Sequence, residues 1–549
     1  MILRESFWTR RLGVIECLAM AIPRWKPAAK ATKKEEFLLK RLKRNKKLFG
    51  FLHEVRDELF NEEFQDELEG MYRETGAGKD PVAPALMAMA VLLQAYSGAS
   101  DAEAVELTVV DLRWQLVLDR LGADEPAFSQ GALHDFRARL IRTNMDRRLL
   151  ERTVEFARAR GGFDPKKLPK DLRVAMDSMP LEGAGRVEDT LNLLGHAARK
   201  LVECVAKLVD KPYRQVCVSA GIPVLLAPSV KQGLDCEWSD PEQKAEAVRL
   251  FVEQIESLQQ WVERRLRNHA GEAPLKDLLR TLTELLTQDL EPDPNNPGSK
   301  RIRDGVAPER RISITDGEMR HGRKSKSKRF NGYKRHIAAD IDTRLILACA
   351  VTPANRPEEE AAPELQSDIE HQNLKIAELH IDRGYVAAAT VTRVLDTGGA
   401  VLCKPWVARN SAALFTKQDF HVDMRRLTIT CPAGETESFT PGATVEFEPE
   451  TCGRCRLRSK CTMATAGGRT VSIAEDERLQ HRLRKLISTP AGRRLLRQRV
   501  GVEHRLAHVA QRQGRRARYR GSRPNLFDLR RACAIQNLET AHRESLAAA

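Results

Sequence analysis

The sequence of 549 residues contains no uninterrupted apolar run of 18 residues, which is about the length that a membrane-spanning helix needs. Cysteine is also sparse, with eleven residues in the chain. This number is too small for the dense disulfide framework of a small secreted protein. Residues 12–23 are apolar apart from Glu16 and follow several arginines, and we interpret residues 1–33 as an extension and not as a targeting signal. These absences predict a cytoplasmic protein without a membrane span.

Negative charge is in short supply as well. The chain has 91 Lys and Arg against 76 Asp and Glu, which gives a net charge of +15. The excess is clustered, since residues 482–531 contain sixteen Arg or Lys and only two acidic residues, Glu503 and Asp528. A concentrated positive charge indicates a polyanionic partner, most often nucleic acid. The alternative is a basic protein without such a partner.

The length predicts several domains, and the spacing of apolar residues and turn formers divides the chain. After the extension, helical spacing predicts a helical domain over residues 34–160. A catalytic domain begins at 170–186 and is interrupted by a helical insertion over 187–300. It continues over 301–415, carries a cysteine-rich insert at 416–470, and ends in a helix and basic tail over 471–549.

The helical domain has the features of a DNA-binding unit. Pro81 and Pro84 open a buried helix, and Ser100 or Asp101 is suited to cap the next one. A basic amphipathic helix begins at Ser129. Short helices with basic faces predict a helix-turn-helix-like domain that binds DNA. The alternative is a helical bundle that only packs on the next domain.

The remaining elements predict a mixed α/β sheet. The order is a strand from Leu172, a large helical insertion closed by a polar loop at residues 292–299, a hairpin over 333–351, and then alternating helices and strands. This order predicts a ribonuclease H-like catalytic domain with an insertion after its first strand. We expect the last helix to pack back against this sheet.

Three acidic residues stand where these elements meet. Asp177 and Asp382 each end an apolar, strand-like run, and Glu503 lies in a basic, helix-like segment. Two strand-end aspartates and a helical glutamate can hold two Mg²⁺ ions, or Mn²⁺ in their place, for in-line displacement at phosphorus. Each has a plainer alternative: a cap or turn at Asp177 and Asp382, and an i,i−4 pair with Arg499 at Glu503. Asp316, Asp189 and Asp340 are rival acidic residues.

Three segments, residues 323–334, 351–355 and 380–385, closely resemble bacterial insertion-sequence transposases of the DDE type, in the subgroup with a helical N-terminal domain and a cysteine-bearing insert. The resemblance implies that Asp177, Asp382 and Glu503 are the catalytic triad. It also implies DNA partners (the ends of the element and target DNA), a homodimer on DNA, and a location in the bacterial nucleoid.

Related transposases carry a Tyr-x2-Arg-x3-Glu-x6-Lys signature around the glutamate, and Arg499 and Glu503 match its centre. Leu496 and Ala510 stand at the tyrosine and lysine positions, so those two contacts are absent or come from elsewhere. Substitutes for them in this chain are Arg505, Arg512 and Lys404.

Four cysteines form a separate cluster, Cys431, Cys452, Cys455 and Cys461. Four thiolates can close a tetrahedral Zn²⁺ site, and Cys-x2-Cys is a common half-site. An iron–sulfur cluster or no metal at all are the alternatives. A closed four-thiolate site would be structural, because it leaves no open coordination position.

Two basic runs suit DNA phosphates, a loop over residues 320–329 and a segment over residues 512–523 in which Tyr519 is suited to stack on a base. Both have a plain alternative as solvated surface. Trp238 and Trp261 in the insertion are either core residues or a platform for an unstacked base. The predicted DNA-binding residues are Arg323, Lys324, Lys326, Lys328, Arg329, Lys334, Arg499, Arg515, Arg516, Arg518 and Arg520.

Together these observations predict a transposase that binds terminal inverted repeats and catalyses metal-dependent DNA cleavage and strand transfer. The alternatives are a metal-dependent nuclease without joining activity and an inactive or regulatory DNA-binding relative.

Overall fold

The structure is a computed structural model that describes residues 22–28, 30–42, 47–72, 81–160, 171–269, 271–294, 296–406 and 413–548. Most of the predicted N-terminal extension (residues 1–21 and 29) and residues 161–169, between the predicted helical and catalytic domains, lie outside the described residues.

The N-terminal part is helical, as predicted. Ser100 caps the fifth helix in a reciprocal capping box with Glu103, and Pro84 begins the fourth. Its helices are α1 (Lys33–Leu42), α2 (Lys47–Leu59), α3 (Glu62–Glu69), α4 (Pro84–Ser97), α5 (Asp101–Val110), α6 (Leu112–Val117), α7 (Gln130–Thr143) and α8 (Met145–Arg160).

A long strand, β1 (Asp171–Glu182), follows, and a helical insertion with an apolar core of its own comes next. Asp189 caps its first helix by accepting the Asn192 N–H. The elements of the insertion are α9 (Thr190–Leu208), α10 (Tyr213–Ser219), α11 (Val230–Leu234), α12 (Pro241–Arg265), α13 (Leu275–Asp289), β2 (Leu290–Pro292) and β3 (Lys300–Ile302).

The main sheet is completed by the next segment, in agreement with the predicted order of strands and helices. Its elements are β4 (Arg320–Arg323), β5 (Arg329–Asp340), β6 (Ile346–Pro353), α14 (Ala362–His371), β7 (Lys375–His380), α15 (Ala389–Asp396) and β8 (Ala400–Leu402). The strands lie in the order β4-β5-β1-β7-β8, and β6 also pairs with β5. β1 is antiparallel to β5 and parallel to β7, so the predicted mixed α/β sheet is confirmed.

The cysteine-bearing insert has a small core formed by residues such as Ile429 and Phe447. Its elements are β9 (His421–Asp423), β10 (Thr428–Thr430), β11 (Thr436–Ser438), β12 (Thr444–Glu446), α16 (Pro449–Gly453), α17 (Arg458–Cys461) and β13 (Thr470–Ser472).

Four helices end the chain: α18 (Glu477–Ser488), α19 (Pro490–Arg497), α20 (Val500–Gln513) and α21 (Ser522–Ala548). One apolar core joins the N-terminal helices, the main sheet, α20 and α21. Among the described helices, none is long and apolar enough to cross a bilayer.

Candidate active site

The two aspartates are brought together by neighbouring parallel strands. β1 and β7 pair in a register that sets Val174 beside Leu379 and Ala175 beside His380. Asp177 and Asp382 each lie two residues further along, so they stand side by side where the two chains leave the pairing. The Asp382 side chain also accepts a hydrogen bond from the Gly384 N–H at 2.8 Å. Asp382 therefore caps this turn, as the alternative interpretation predicts, and also lies beside Asp177.

Glu503 joins this pair through an arginine. Arg499 lies just before α20, and its guanidinium contacts Glu503 at 2.6 Å and Asp177 at 3.3 Å. The predicted alternative, an i,i−4 ion pair between Glu503 and Arg499, is therefore present, but the Arg499 side chain also contacts Asp177 on β1. Arg499 stands between two of the three acidic groups, where a positive charge reduces the repulsion between them.

The electrostatics of Asp177 reflect this setting. Burial raises the pKa of Asp177 to about 6, and the negative charges of Asp382 and Glu503 act in the same direction. Arg499 and the Ser178 N–H oppose the shift. A carboxyl with its pKa near neutrality, beside two other carboxylates, is typical of a functional site.

A fourth acidic residue, Glu358, lies at the same place and is absent from the sequence prediction. Its carboxylate accepts a hydrogen bond from the Ser178 hydroxyl at 2.6 Å, next to Asp177. It also crowds the Asp382 turn, because a Cβ added to Gly384 would overlap it. Burial raises the pKa of Tyr385, and the charges of Glu358, Asp177 and Asp382 raise it further. The only signal in the sequence is that Glu358 follows the family-like segment at residues 351–355.

A basic cleft of about 910 Å³ adjoins the carboxylates and is lined by Glu503 and Arg499 themselves. Trp406 also lines it and is 56% exposed. Charged side chains from α18, α19, the insert and the segments after β7 and β8 form its walls, namely Arg383, Lys404, Lys417, Arg484, Lys485, Arg493 and Arg497. The sequence prediction did not name most of these residues, although several belong to the basic stretch noted at 482–531.

The three substitutes for the missing signature residues have different positions. Lys404 lines the cleft, and its carbonyl accepts a bond from Arg383. Arg512 pairs with Glu539 at 2.7 Å, and Arg505 lines a different cavity. Only Lys404 therefore shares the cleft with Glu503.

The basic run at 320–329 is a hairpin and not a loop, which corrects the prediction. Arg320–Arg323 pairs with the start of β5, with Arg323 opposite Arg329. The run of positive charge suggested irregular structure, but residues 320–323 form a strand because they pair with residues 329–332, which are close in sequence. The five predicted cations at the tip are exposed and have no ion pair with any described residue: Arg323, Lys324, Lys326, Lys328 and Arg329.

Several residues of the segment at 512–523 make hydrogen bonds to other parts of the protein. Its backbone bonds to Glu182 at the end of β1, and Arg516 donates to the carbonyls of Gly183 and Ala184. Arg518 donates to the carbonyls of Gly98 and Ala99 in the N-terminal helical part. A DNA contact by these two arginines would compete with these bonds.

Arg515 and Arg520, in contrast, are exposed and without a side-chain partner among the described residues. Lys334 lies beside the carboxylates and donates to the Arg356 carbonyl at 2.7 Å. Burial lowers the pKa of Lys334, and the charges of Glu358 and Asp382 oppose this.

The three aromatic residues considered for base stacking, Trp238, Trp261 and Tyr519, pack against other side chains of the protein. Trp238 and Trp261 pack against the core of the helical insertion, which agrees with their interpretation as core residues. Tyr519 lies under Arg137 at 5.2 Å and meets Phe527 edge to face, so it is held between helices.

The rival acids are structural as well. Asp316 accepts the Tyr333 hydroxyl at 2.5 Å and is buried, and Asp340 accepts the Thr343 hydroxyl in a turn. Asp189 is the helix cap described above. Within the described residues these three therefore have partners of their own, away from the Arg499 contacts.

The four cysteines line one small cavity of about 30 Å³. Burial raises the pKa of Cys461, and the charges of Cys452, Cys431 and Cys455 add to this while Arg469 opposes it. Backbone N–H groups of Leu457 and Arg469 donate to the sulfurs of Cys455 and Cys452. The four side chains thus border the same cavity of the insert.

As the side chains stand, no group of three or more His, Cys, Asp or Glu among the described residues is arranged to hold a metal ion. The chemistry of both donor sets nevertheless fits a metal: neighbouring carboxylate oxygens at one site, and neighbouring cysteine sulfurs at the other.

Two family descriptions match the chain. The transposase DDE domain matches residues 307–538, and the transposase domain DUF772 matches residues 37–139. Neither a curated protein nor a solved structure matches the chain at a significant level. The DDE domain carries the ribonuclease H-like α/β fold, in agreement with the sheet described above. The two matches together cover more than half of the chain, in the order predicted from the sequence, and the chain therefore belongs to the DDE transposases of insertion sequences.

Proposed function

We propose that the protein binds the terminal inverted repeats of an insertion sequence and catalyses metal-dependent DNA cleavage and strand transfer. The observation that carries this proposal is the single arginine, Arg499, that contacts both Asp177 and Glu503 beside the Asp382 turn. Glu503 and Arg499 line a basic cleft, and Arg499 extends from it to Asp177 on the central strand. That arrangement suits a phosphodiester substrate.

In this proposal Asp177, Asp382 and Glu503 hold two Mg²⁺ or Mn²⁺ ions. When bound, such ions activate the attacking oxygen and stabilise the leaving oxygen at phosphorus. Arg499 keeps the carboxylates in place before DNA arrives, because it pairs with two of them. Glu358 holds Ser178, and therefore the adjoining Asp177 backbone, through a hydrogen bond at 2.6 Å.

The cleft guides DNA to the carboxylates. Lys485 and Arg497 line it without ion-pair partners among the described residues, whereas Lys417 and Arg484 both pair with Glu477. Cations that keep their charge uncompensated contribute most to holding phosphates. Processing two ends of an element together requires two copies of the active site, and hence a homodimer on DNA.

The cysteine insert has a structural role in this proposal. Cys431, Cys452, Cys455 and Cys461 would hold one Zn²⁺ ion, which fixes the short strands and helices of the insert. The support is that all four residues line one cavity and that two of the sulfurs accept backbone N–H bonds.

The test is a supercoiled-plasmid assay with Mg²⁺. The wild type should nick a plasmid that carries the element ends and should form joined products. Asp177→Ala, Asp382→Ala and Glu503→Ala should each abolish nicking while end binding persists. Nicking without joined products would indicate a nuclease, and binding without nicking by the wild type would indicate a regulatory relative.

A further inference from the structure

A second cavity, of about 420 Å³, lies beside α20 and shares no lining residue with the basic cleft. Its floor is formed by Ala175 and Ala339, which face each other across β1 and β5. The helical period places Gly501, Arg505 and the other cavity residues of α20 on a different face from Glu503. The cavity is therefore separate from the proposed active site but borders the same strand and helix.

The cavity is strongly positive. Arg344 reaches it from the turn after β5, Arg505 from α20 and Arg543 from the end of α21, and His504 and His508 complete its rim. None of the three arginines has an ion pair with a described residue. Arg505 and Arg543 instead donate to the same hydroxyl, that of Thr540, at 3.3 and 3.4 Å.

One acidic residue, Asp340, also lines the cavity, so the three arginines outnumber the carboxylates there by two. Glu539 pairs with Arg512, and the Asp340 carboxylate accepts the N–H and the hydroxyl of Thr343. Burial lowers the pKa of Arg505 to about 10, and the like charges of Arg543 and Arg344 lower it more than Glu544 and Glu539 raise it. Three guanidinium groups that repel one another around a cavity are stabilised when an anion enters it.

We propose that this cavity binds a phosphate group, and that its source is a phosphodiester of the DNA backbone. Guanidinium forks match the geometry of phosphate oxygens. Ala175 stands two residues before Asp177 on β1, roughly 7 Å along the strand, so DNA held at the carboxylates has other phosphates within reach. The assignment to DNA rests on the proposed function, whereas the phosphate chemistry rests on the cavity itself.

The experiment uses the full chain with Arg344→Gln and Arg543→Gln combined, because both side chains are exposed and their replacement leaves the packing of Arg505 in place. Affinity for a synthetic duplex of arbitrary sequence is measured over a series of salt concentrations. The slope of log affinity against log salt should become less steep by roughly one for each DNA phosphate that the variant no longer neutralises. Arg280→Gln, an exposed arginine on α13 that pairs with Asp277, is the matched control and should leave the slope unchanged.

A second arm titrates inorganic phosphate by calorimetry at constant ionic strength. Saturable heat that disappears in the double variant, with an unchanged DNA slope, would keep the phosphate site but overturn its assignment to DNA. No change in either measurement would overturn the site itself. An unchanged thermal unfolding curve shows that the variant is folded. Neither arm needs cleavage, so an inactive protein would contradict the proposed function without deciding this inference.

Discussion

Asp177 is the central acidic residue of the candidate active site. It is on the central strand, is largely buried, and has two other carboxylates as neighbours. Keeping it ionised costs stability, and a group retained at such a cost is typical of a functional site.

We expect Asp177→Asn to stabilise the protein at neutral pH. Because the folded-state pKa is raised, from 3.8 to about 6, the folded protein binds more protons than the unfolded chain between these values, and its stability falls as the pH rises through them. Asparagine removes that loss. The free energy of unfolding in urea should increase by at most about 3 kcal/mol near pH 7.5, and by less near pH 5. If the variant gained the same stability at both pH values, or gained more near pH 5 than near pH 7.5, the raised pKa of Asp177 would be contradicted.

Glu358 is expected to act by positioning the residues around it. Glu358→Ala removes the acceptor of the Ser178 hydroxyl and should lower plasmid nicking by about 10- to 100-fold, whereas Glu358→Gln keeps an acceptor and should retain most activity. Gly384→Ala should resemble Glu358→Ala, because its Cβ displaces the same carboxylate. If the Gln variant were as impaired as the Ala variant, the charge and not the hydrogen bond would be required.

At the scale of elements, the structure distinguishes basic segments that look alike in sequence. The hairpin of β4 and β5 presents cations without described ion-pair partners to solvent, while the segment after α20 uses Arg516 and Arg518 to join β1 and the N-terminal helices. The hairpin cations, like Arg515 and Arg520 of the second segment, can contact phosphates without breaking internal bonds, whereas Arg516 and Arg518 cannot.

The hairpin tip should contribute to DNA affinity in a way that depends on salt and not on sequence. Replacing Lys324, Lys326 and Lys328 together by Gln should reduce the salt slope of binding by roughly one for each phosphate that is no longer neutralised, on any duplex. The matched control replaces Lys207, Lys211 and Lys276, which are exposed on the helical insertion. Equal slopes for the two triple variants would mean that the tip is a solvated surface.

The cysteine insert should depend on its metal. Metal analysis of the purified protein should give one zinc per chain, and Cys455→Ser should remove it, because the remaining sulfurs cannot close a tetrahedral site. A chelator should then lower the stability of the insert in the wild type but not in the variant. Purified protein with iron would indicate a cluster, and protein without metal would contradict the proposal.

At the scale of the whole molecule, α21 holds the N-terminal helices against the sheet. Arg530 contacts Asp146 of α8 and Asp368 of α14, and Asn537 bonds to both the N–H and the carbonyl of Ile346 on β6. Arg523 also contacts Asp146. These buried contacts and the shared apolar core make the predicted DNA-binding domain and the catalytic domain one packed unit.

Asp146→Ala should therefore destabilise the whole chain. It removes the carboxylate that pairs with Arg523 and leaves the buried Arg530 with Asp368 alone, and the expected cost is about 3 kcal/mol or more in urea unfolding. Fluorescence and circular dichroism should report the loss of structure together for both parts. Asp277→Ala, which breaks the exposed pair with Arg280, should change stability by no more than about 0.5 kcal/mol. A separate early transition of the N-terminal helices would show that the two parts unfold independently.

Local features of the sequence predict the order of the elements and single out Asp177, Asp382 and Glu503 as candidates for the site. Strand and helix periodicities, caps such as Ser100, and the apolar runs before Asp177 and Asp382 are local features that the residues nearby impose. The segments 323–334, 351–355 and 380–385 indicated the family, because these motifs follow one another in order along the chain. The four cysteines were also found by spacing alone.

The packing of distant segments determines which charged side chains have internal partners and which are left to solvent. Arg516 and Arg518 are as basic as Arg515 and Arg520, yet the first two contact carbonyls that are hundreds of residues away in sequence. The same holds for Glu358, which meets Ser178 only because β1 and the segment after β6 pack together. The basic cleft and the phosphate-sized cavity beside α20 likewise arise from helices and turns that approach one another in space. Such pairings depend on how distant segments pack, and local composition carries no information about them.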